Sequence, residues 1–172
     1  TLAVTQMEAV FAIFMADRFN YSAEKAGILL AVMGLAMAIV QGGLVGMLSK
    51  RATEIWIIAV GTFVSALALG LFGAAWAPSV VLTALLLLAF SHGFVSPSLS
   101  SLASRGAPDH LRGSTMGVFH SAGSLARVIG PLAAGWLFDH MGASSPFFLG
   151  SGFLIAASLV GLISVQKLRA DD

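Results

Sequence analysis

Cysteine is absent from all 172 residues, which removes disulfides, thiol nucleophiles and cysteine-ligated metal from the chemistry open to this chain. Charge is scarce as well: 10% of residues are Asp, Glu, Lys or Arg, against about 25% in a soluble domain. The formal net charge of +1 offers no basic excess for a nucleic-acid partner. The four histidines are scattered and rebuild no metal-ligand spacing. No cofactor is implied. What is present is hydrophobic, 58% of the residues with a mean hydropathy of +0.93, the composition of an integral membrane protein whose first partner is the lipid bilayer.

A window of about 20 residues, the length that crosses a bilayer core as a helix, divides the chain into six apolar segments: 1–16, 26–48, 55–76, 80–102, 114–138 and 146–165. The fold class predicted is all-α, a polytopic membrane protein of six transmembrane helices. Charged and turn residues collect between the segments, and no stretch is left for a soluble domain. The first segment opens at Thr1 with no basic flank and no cleavage-site pattern, unlike a signal peptide. Its length, roughly 24 Å at the helical rise, falls short of the roughly 30 Å core, so it is read as a helix truncated at its N-terminus.

Lys50, Arg51, Arg105, Arg112, Lys167 and Arg169 fall on one side of these spans and only Arg18 and Lys25 on the other. By the positive-inside rule the richer side is cytoplasmic, which puts the C-terminus in the cytoplasm and makes the chain a multi-pass protein of the cell's inner (plasma) membrane. Small residues recur every four positions: Gly34, Ala38, Gly42 and Gly46 on the second helix, Ala66, Gly70 and Ala74 on the third, Ala122, Ala126, Gly130 and Ala134 on the fifth. In lipid, where burial drives helices together only weakly, such stripes let backbones pack closely. Pro97 and Pro131 lie within helices and are expected to kink or locally open them.

Against this apolar background the intramembrane charges stand out. Arg127 lies fifteen residues past Arg112 and Glu8 nine before Asp17, which places both near mid-depth, roughly 22 Å and 14 Å from their helix ends. An arginine at the bilayer centre costs about 3 kcal/mol on insertion scales, so it faces protein or water and takes a partner. An ion pair between Glu8 and Arg127 fits these depths, and a carboxyl poised between pairing and desolvation suits proton coupling. His120 shares the face of Arg127 with Ser124 between them, and His92 sits mid-depth with Ser96 on its face. Each is a candidate relay or a hydrogen-bonded packing residue. Gln41 is a further polar candidate, and Phe11 and Phe94 are candidate cavity aromatics that could equally be core or lipid-facing.

The order of motifs, FMADRFNYSAEKAG, QGGLVGMLSKRATE, HGFVSPSLSSLASRGAP, PDHLRGSTMGVFHSAGSLARVIGPLAAGWLFDHMG and PFFLGSGFL, resembles the C-terminal half, helices seven to twelve, of a major facilitator superfamily transporter. The most specific part is Arg112, Gly113 and Gly117 followed by Gly130, Pro131 and Gly135. Within the superfamily the chain is similar to proton-coupled drug antiporters, including tetracycline-resistance-type efflux proteins. The resemblance implies that residues 1–172 are a C-terminal six-helix bundle whose partner is an N-terminal six-helix half. Small-molecule substrate and protons would pass between the halves, and there would be no enzymatic activity. In the resembled fold the first and fourth helices here line the central cavity and the fifth packs beside the first. The family's cytoplasmic loop motif is echoed by Gly46, Lys50 and Arg51, with lysine where the motif has aspartate, leaving Glu54 as the nearby acid.

The function expected is one half of a secondary transporter, exporting small amphipathic compounds against proton entry. A sugar or metabolite permease of the same superfamily, or a non-transporting assembly subunit, is the alternative. An intramembrane serine protease would need a specified serine and histidine, and no G-x-S-x-G occurs; a six-helix channel would need half-helix or carbonyl-filter motifs, which are absent. The charge count generates one prediction: cysteines at Ser49 and Ala107 should react with an impermeant thiol reagent only from the cytoplasm, and one at Ser22 only from outside. The reverse pattern inverts the topology.

Overall fold

A computed structural model describes residues 1–44 and 54–170. Among them run six long helices: α1 Leu2–Phe19, α2 Ala23–Ile39, α3 Glu54–Gly73, α4 Pro78–Arg105, α5 Arg112–Met141 and α6 Ser145–Ala170. A π-helical stretch, Val40–Leu44, prolongs α2, and a 3-10 turn, Asp109–Leu111, leads into α5. Every apolar segment is thus a helix, and most overrun the apolar stretch because the polar residues at their ends continue the coil. Gly46, Lys50 and Arg51 lie outside the described residues.

Helix ends follow local chemistry. Asn20 stops α1 in the left-handed conformation, at φ 54°, and its N–H returns to the Ala16 carbonyl while that of Tyr21 returns to Met15, a doubled closure that Asn tolerates better than most residues. Ser22 caps α2 by accepting from the Lys25 N–H at 3.4 Å. Pro78 opens α4, where its missing N–H has no cost. Pro97 and Pro131 both sit inside helices that remain unbroken.

Four helices are long and apolar enough to cross a membrane by length and composition: α2 with its π extension (Ala23–Gly43), α3, α4, and α6 over Ser145–Ile163. The other two, α1 and α5, are those that carry Glu8 and Arg127. Polar content is what separates them from the rest.

Small residues and hydroxyls set the crossings. Ser151 donates to the Ala66 carbonyl at 2.7 Å and Ser158 to that of Ala59 at 2.9 Å, which ties α6 to α3. Interhelical bonds of this kind contribute about 0.6 kcal/mol each in a membrane. A Cβ on Gly93 would lie 2.8 Å from Val40 where α2 meets α4, and one on Gly61 would collide with Val95 where α3 meets α4. Between α5 and α1, a Cβ on Gly130 would lie 2.8 Å from Thr5 Oγ1 and 3.3 Å from the Leu2 carbonyl. The stripes divide accordingly. Ala66 and Gly70 pack on α6 and Gly130 and Ala134 on the bundle, whereas Gly34, Ala38 and Gly42 on α2 meet open space.

An aromatic cluster fills the end of the bundle near Phe19 and Tyr21. Phe14 meets Phe147 edge-on at 4.7 Å, Phe147 stacks on Phe72 at 5.5 Å, and Phe11 meets Phe72 edge-on at 6.0 Å. Such pairs add about 0.5–1.5 kcal/mol each beyond the area they bury. Arg18 closes this end by donating from Nε to the Ala75 carbonyl at 3.3 Å.

Gly130→Leu should separate α1 from α5 and lower stability by about 1–3 kcal/mol, the cost of overpacking a tight contact. Gly152→Leu, on an exposed position of α6 with nothing near its Cβ, should leave it nearly unchanged. Melting temperatures of the purified variants in detergent provide the comparison.

Candidate functional site

The α1–α5 crossing positions the two charges expected at mid-depth. Thr5 Oγ1 lies 3.1 Å from the Leu2 carbonyl and 3.5 Å from the Ala126 carbonyl. Glu8 is one turn beyond Thr5 on the same face of α1, and Arg127 follows Ala126. Glu8 therefore stands in the electrostatic field of Arg127, yet no ion pair within 4 Å joins them: the ion pairs among the described residues are Arg105–Glu54 and Arg112–Asp109. Both side chains are on exposed positions of the bundle. The expected direct contact is thus a looser electrostatic pair, because the helices touch at Thr5 and Gly130 while both charged side chains turn outward.

Glu8 also opens onto a cavity of about 360 Å³ between α1 and α2, lined with it by Leu30, Met33, Gly34 and Met37. One carboxylate among flexible apolar side chains is the chemistry that takes an amphipathic guest. His92 is partly buried on α4.

The remaining candidates scatter. His120 is exposed on α5, and Ser124 donates at 3.0 Å to its backbone carbonyl rather than to its ring, so the stripe toward Arg127 is not a linked chain of side chains. Gln41 is exposed in the π-helical stretch of α2. Phe11 requires a correction as a cavity aromatic: it is fully buried against Phe72 and cannot line the cavity beside Glu8. Phe94 is turned toward α3, in a small cluster with Val40 and Ile57. That the sequence of α1 is apolar on most of its sides, exposed ones included, explains why its pattern did not reveal which face Phe11 takes.

The motif residues have structural work. Arg112 binds Asp109 at 2.8 Å and donates from Nε to the Ser104 carbonyl at 3.1 Å, which holds the α4–α5 turn. Gly113 and Gly117 face open space, in contrast to Gly130. Glu54 accepts from Ser101 Oγ at 2.7 Å, and the same carboxylate oxygen stands 3.6 Å from Arg105, so this acid clips the start of α3 to the end of α4.

Sequence reasoning missed the buried hydroxyl contacts and Gln6, which is 1% exposed and donates to the Pro146 carbonyl at 3.1 Å. A glutamine in an apolar helix is a visible signal. Its partner, 140 residues away, is not.

The all-helical, apolar bundle matches a family of membrane transporters. Residues 1–131 match the Major Facilitator Superfamily, and the chain belongs to that family. It is 32% identical over 154 residues to the class D tetracycline resistance protein of Salmonella ordonez, covering 90% of this chain and 38% of that protein. It is 31% identical over 161 residues to the class C tetracycline resistance protein of Escherichia coli, covering 94% and 39% respectively. The crystal structure of the human organic anion transporter MFSD10 (TETRAN) superposes with a TM-score of 0.84 at 26% identity, over 93% of this chain and 37% of that one. The chain thus spans less than half the length of these relatives.

Arg127→Ala should impair expression or transport in the complete transporter more than Arg127→Lys, since lysine keeps the cation at mid-depth. Equal effects of the two would mean that packing of the side chain, not its charge, is what matters.

Proposed function

We propose that the chain is the C-terminal six-helix half of a twelve-helix, proton-coupled exporter of small amphipathic compounds. The observation that carries this reading is the open polar face, where Glu8 on α1 borders a cavity and faces the field of Arg127 on α5. A titratable carboxyl opposed by a fixed cation on a surface that both halves would share is what alternating access with proton exchange requires. Glu8 is the protonation site in this reading, Arg127 its charge balance and His92 a substrate contact or relay.

The exposed surfaces support a missing partner. On α5 only Gly130, Ala134 and Leu137 are buried, and on α2 only Ala26 and Met33. An N-terminal half seated on α2 and α5 would cover the small-residue faces left open there and enclose the charges of α1 and α5. On this reading all six helices span the bilayer of the inner (plasma) membrane, with α1 and α5 tolerating polar residues because they face the other half. The charge count then puts the C-terminus in the cytoplasm.

A second reading has one observation in its favour: Arg127 has no carboxylate within ion-pairing distance among the described residues, so an anionic substrate could neutralise it. The solved relative described as an organic anion transporter makes this worth separating from export of uncharged or cationic compounds. Flux of both classes through the parent protein, with and without Arg127→Gln, distinguishes them.

In the complete transporter, Glu8→Gln should abolish uphill transport driven by a proton gradient while expression is retained, because the amide keeps the volume but does not titrate. Transport at the normal uphill rate would relocate the coupling group, and with it the central claim about this face.

A further inference from the structure

On the side of α4 turned toward α3 lies a second cavity, about 350 Å³, with no part in the polar face. Its walls are Trp56, Val60, Gly61, Val64, Phe90 and Phe94, with Ser91 at its floor. Gly61 creates it: α3 and α4 approach closely there, against Val95, while the larger residues on either side stand out from the crossing. The single hydroxyl at the floor is already committed, for Ser91 donates to the Leu88 carbonyl at 3.2 Å and pairs with Ser65 at 2.7 Å. A water would find no polar partners here, and the exposed residues that line it, Val60 and Phe90, are apolar. The occupant must be hydrocarbon.

A cation lies beyond one end of this groove. Ser91, Phe94, Ser98, Ser101 and Arg105 follow one another at steps of three and four along α4 and share a face. Arg105 thus stands in line with the groove, about 16 Å beyond Phe94 at the helical rise. Its side chain is 76% exposed and its one ion-pair contact among the described residues, Glu54, is held more closely by Ser101. Most of the five guanidinium donors are therefore available. Trp56, one turn from that end, is the residue type that settles at the boundary between headgroups and acyl chains. The groove runs about 12 Å from Trp56 to Val64.

We propose that this groove seats one acyl chain of a phospholipid whose phosphate is held at Arg105. A cation at the mouth and a dry, hydrocarbon-lined slot behind it match the two ends of that molecule. The site requires only that α3 and α4 lie in a bilayer, and is independent of which substrate the polar face carries.

The test uses the complete parent transporter in detergent micelles, with Trp76→Phe, Trp136→Phe and any tryptophan outside this chain replaced, so that Trp56 is the reporter. Phosphatidylglycerol brominated at mid-chain should quench Trp56 saturably. Diacylglycerol with the same brominated chains should bind at least tenfold more weakly, and so should phosphatidylglycerol to Arg105→Gln. Glu54→Gln, which breaks the clip but leaves the cation, should bind phosphatidylglycerol at least as well as the parent. Val64→Phe should fill the slot and remove most of the saturable quenching at an unchanged melting temperature. Quenching that rises linearly with lipid and ignores Arg105→Gln means ordinary annular lipid, and overturns the site. So does equal weakening by Glu54→Gln and Arg105→Gln, which would trace the effect to the clip. Displacement of the lipid by a transported substrate would make the groove a substrate vestibule and overturn the assignment as well.

Discussion

The approach of α1 to α5 at Gly130 is the constraint on which the polar face depends. The backbone of α1 reaches α5 there because no side chain intervenes, and Thr5 turns its hydroxyl toward the Leu2 and Ala126 carbonyls. Because the contact is made by these small groups, the charged residues one turn away are held near each other without touching. Lipid supplies little hydrophobic force for such an approach, so geometry at single glycines does what burial does in water.

The same economy governs the rest of the bundle. Buried hydroxyls give their protons to carbonyls on a neighbouring helix or on their own, and charged groups are spent at the ends: Arg18 at one, the Glu54–Arg105 and Asp109–Arg112 pairs at the other. Between those ends the described charges are Glu8 and Arg127, on the two helices that length and composition do not mark as membrane-crossing. A chain with so few charges places nearly all of them where water reaches, which makes the two exceptions informative.

The helices were legible because a bilayer demands runs of apolar residues and the turns between them demand the opposite; all six segments became helices with ends shifted by a few residues. Expected heights for Glu8 and Arg127 were legible for the same reason, since helical rise converts position into height. Their lateral relation was not, because it depends on which residues touch at a crossing. Phe11 shows the difficulty: on a helix that is apolar on nearly every side, periodicity does not distinguish the core face from the cavity face. Glu54 shows another, since its partners Ser101 and Arg105 lie about fifty positions away and only the antiparallel register of α3 and α4 brings them together. The closed crossings at Gly61, Gly93 and Gly130 and the open positions at Gly34 and Gly42 look alike in sequence and differ wholly in surroundings.

The serine pair between α3 and α4 has a direction. Each hydroxyl owns one proton, so whenever that of Ser91 is on the Leu88 carbonyl at 3.2 Å, Ser65 is the one that gives in the 2.7 Å contact and Ser91 the one that receives. The two positions are consequently unequal. Loss of the Ser65 hydroxyl would leave Ser91 still bonded to its own helix, whereas loss of the Ser91 hydroxyl would strand a proton in a water-free seam, the more costly of the two vacancies. An interface that looks symmetric by composition thus has a polarity, and α3 depends on α4 there in a way that α4 does not depend on α3.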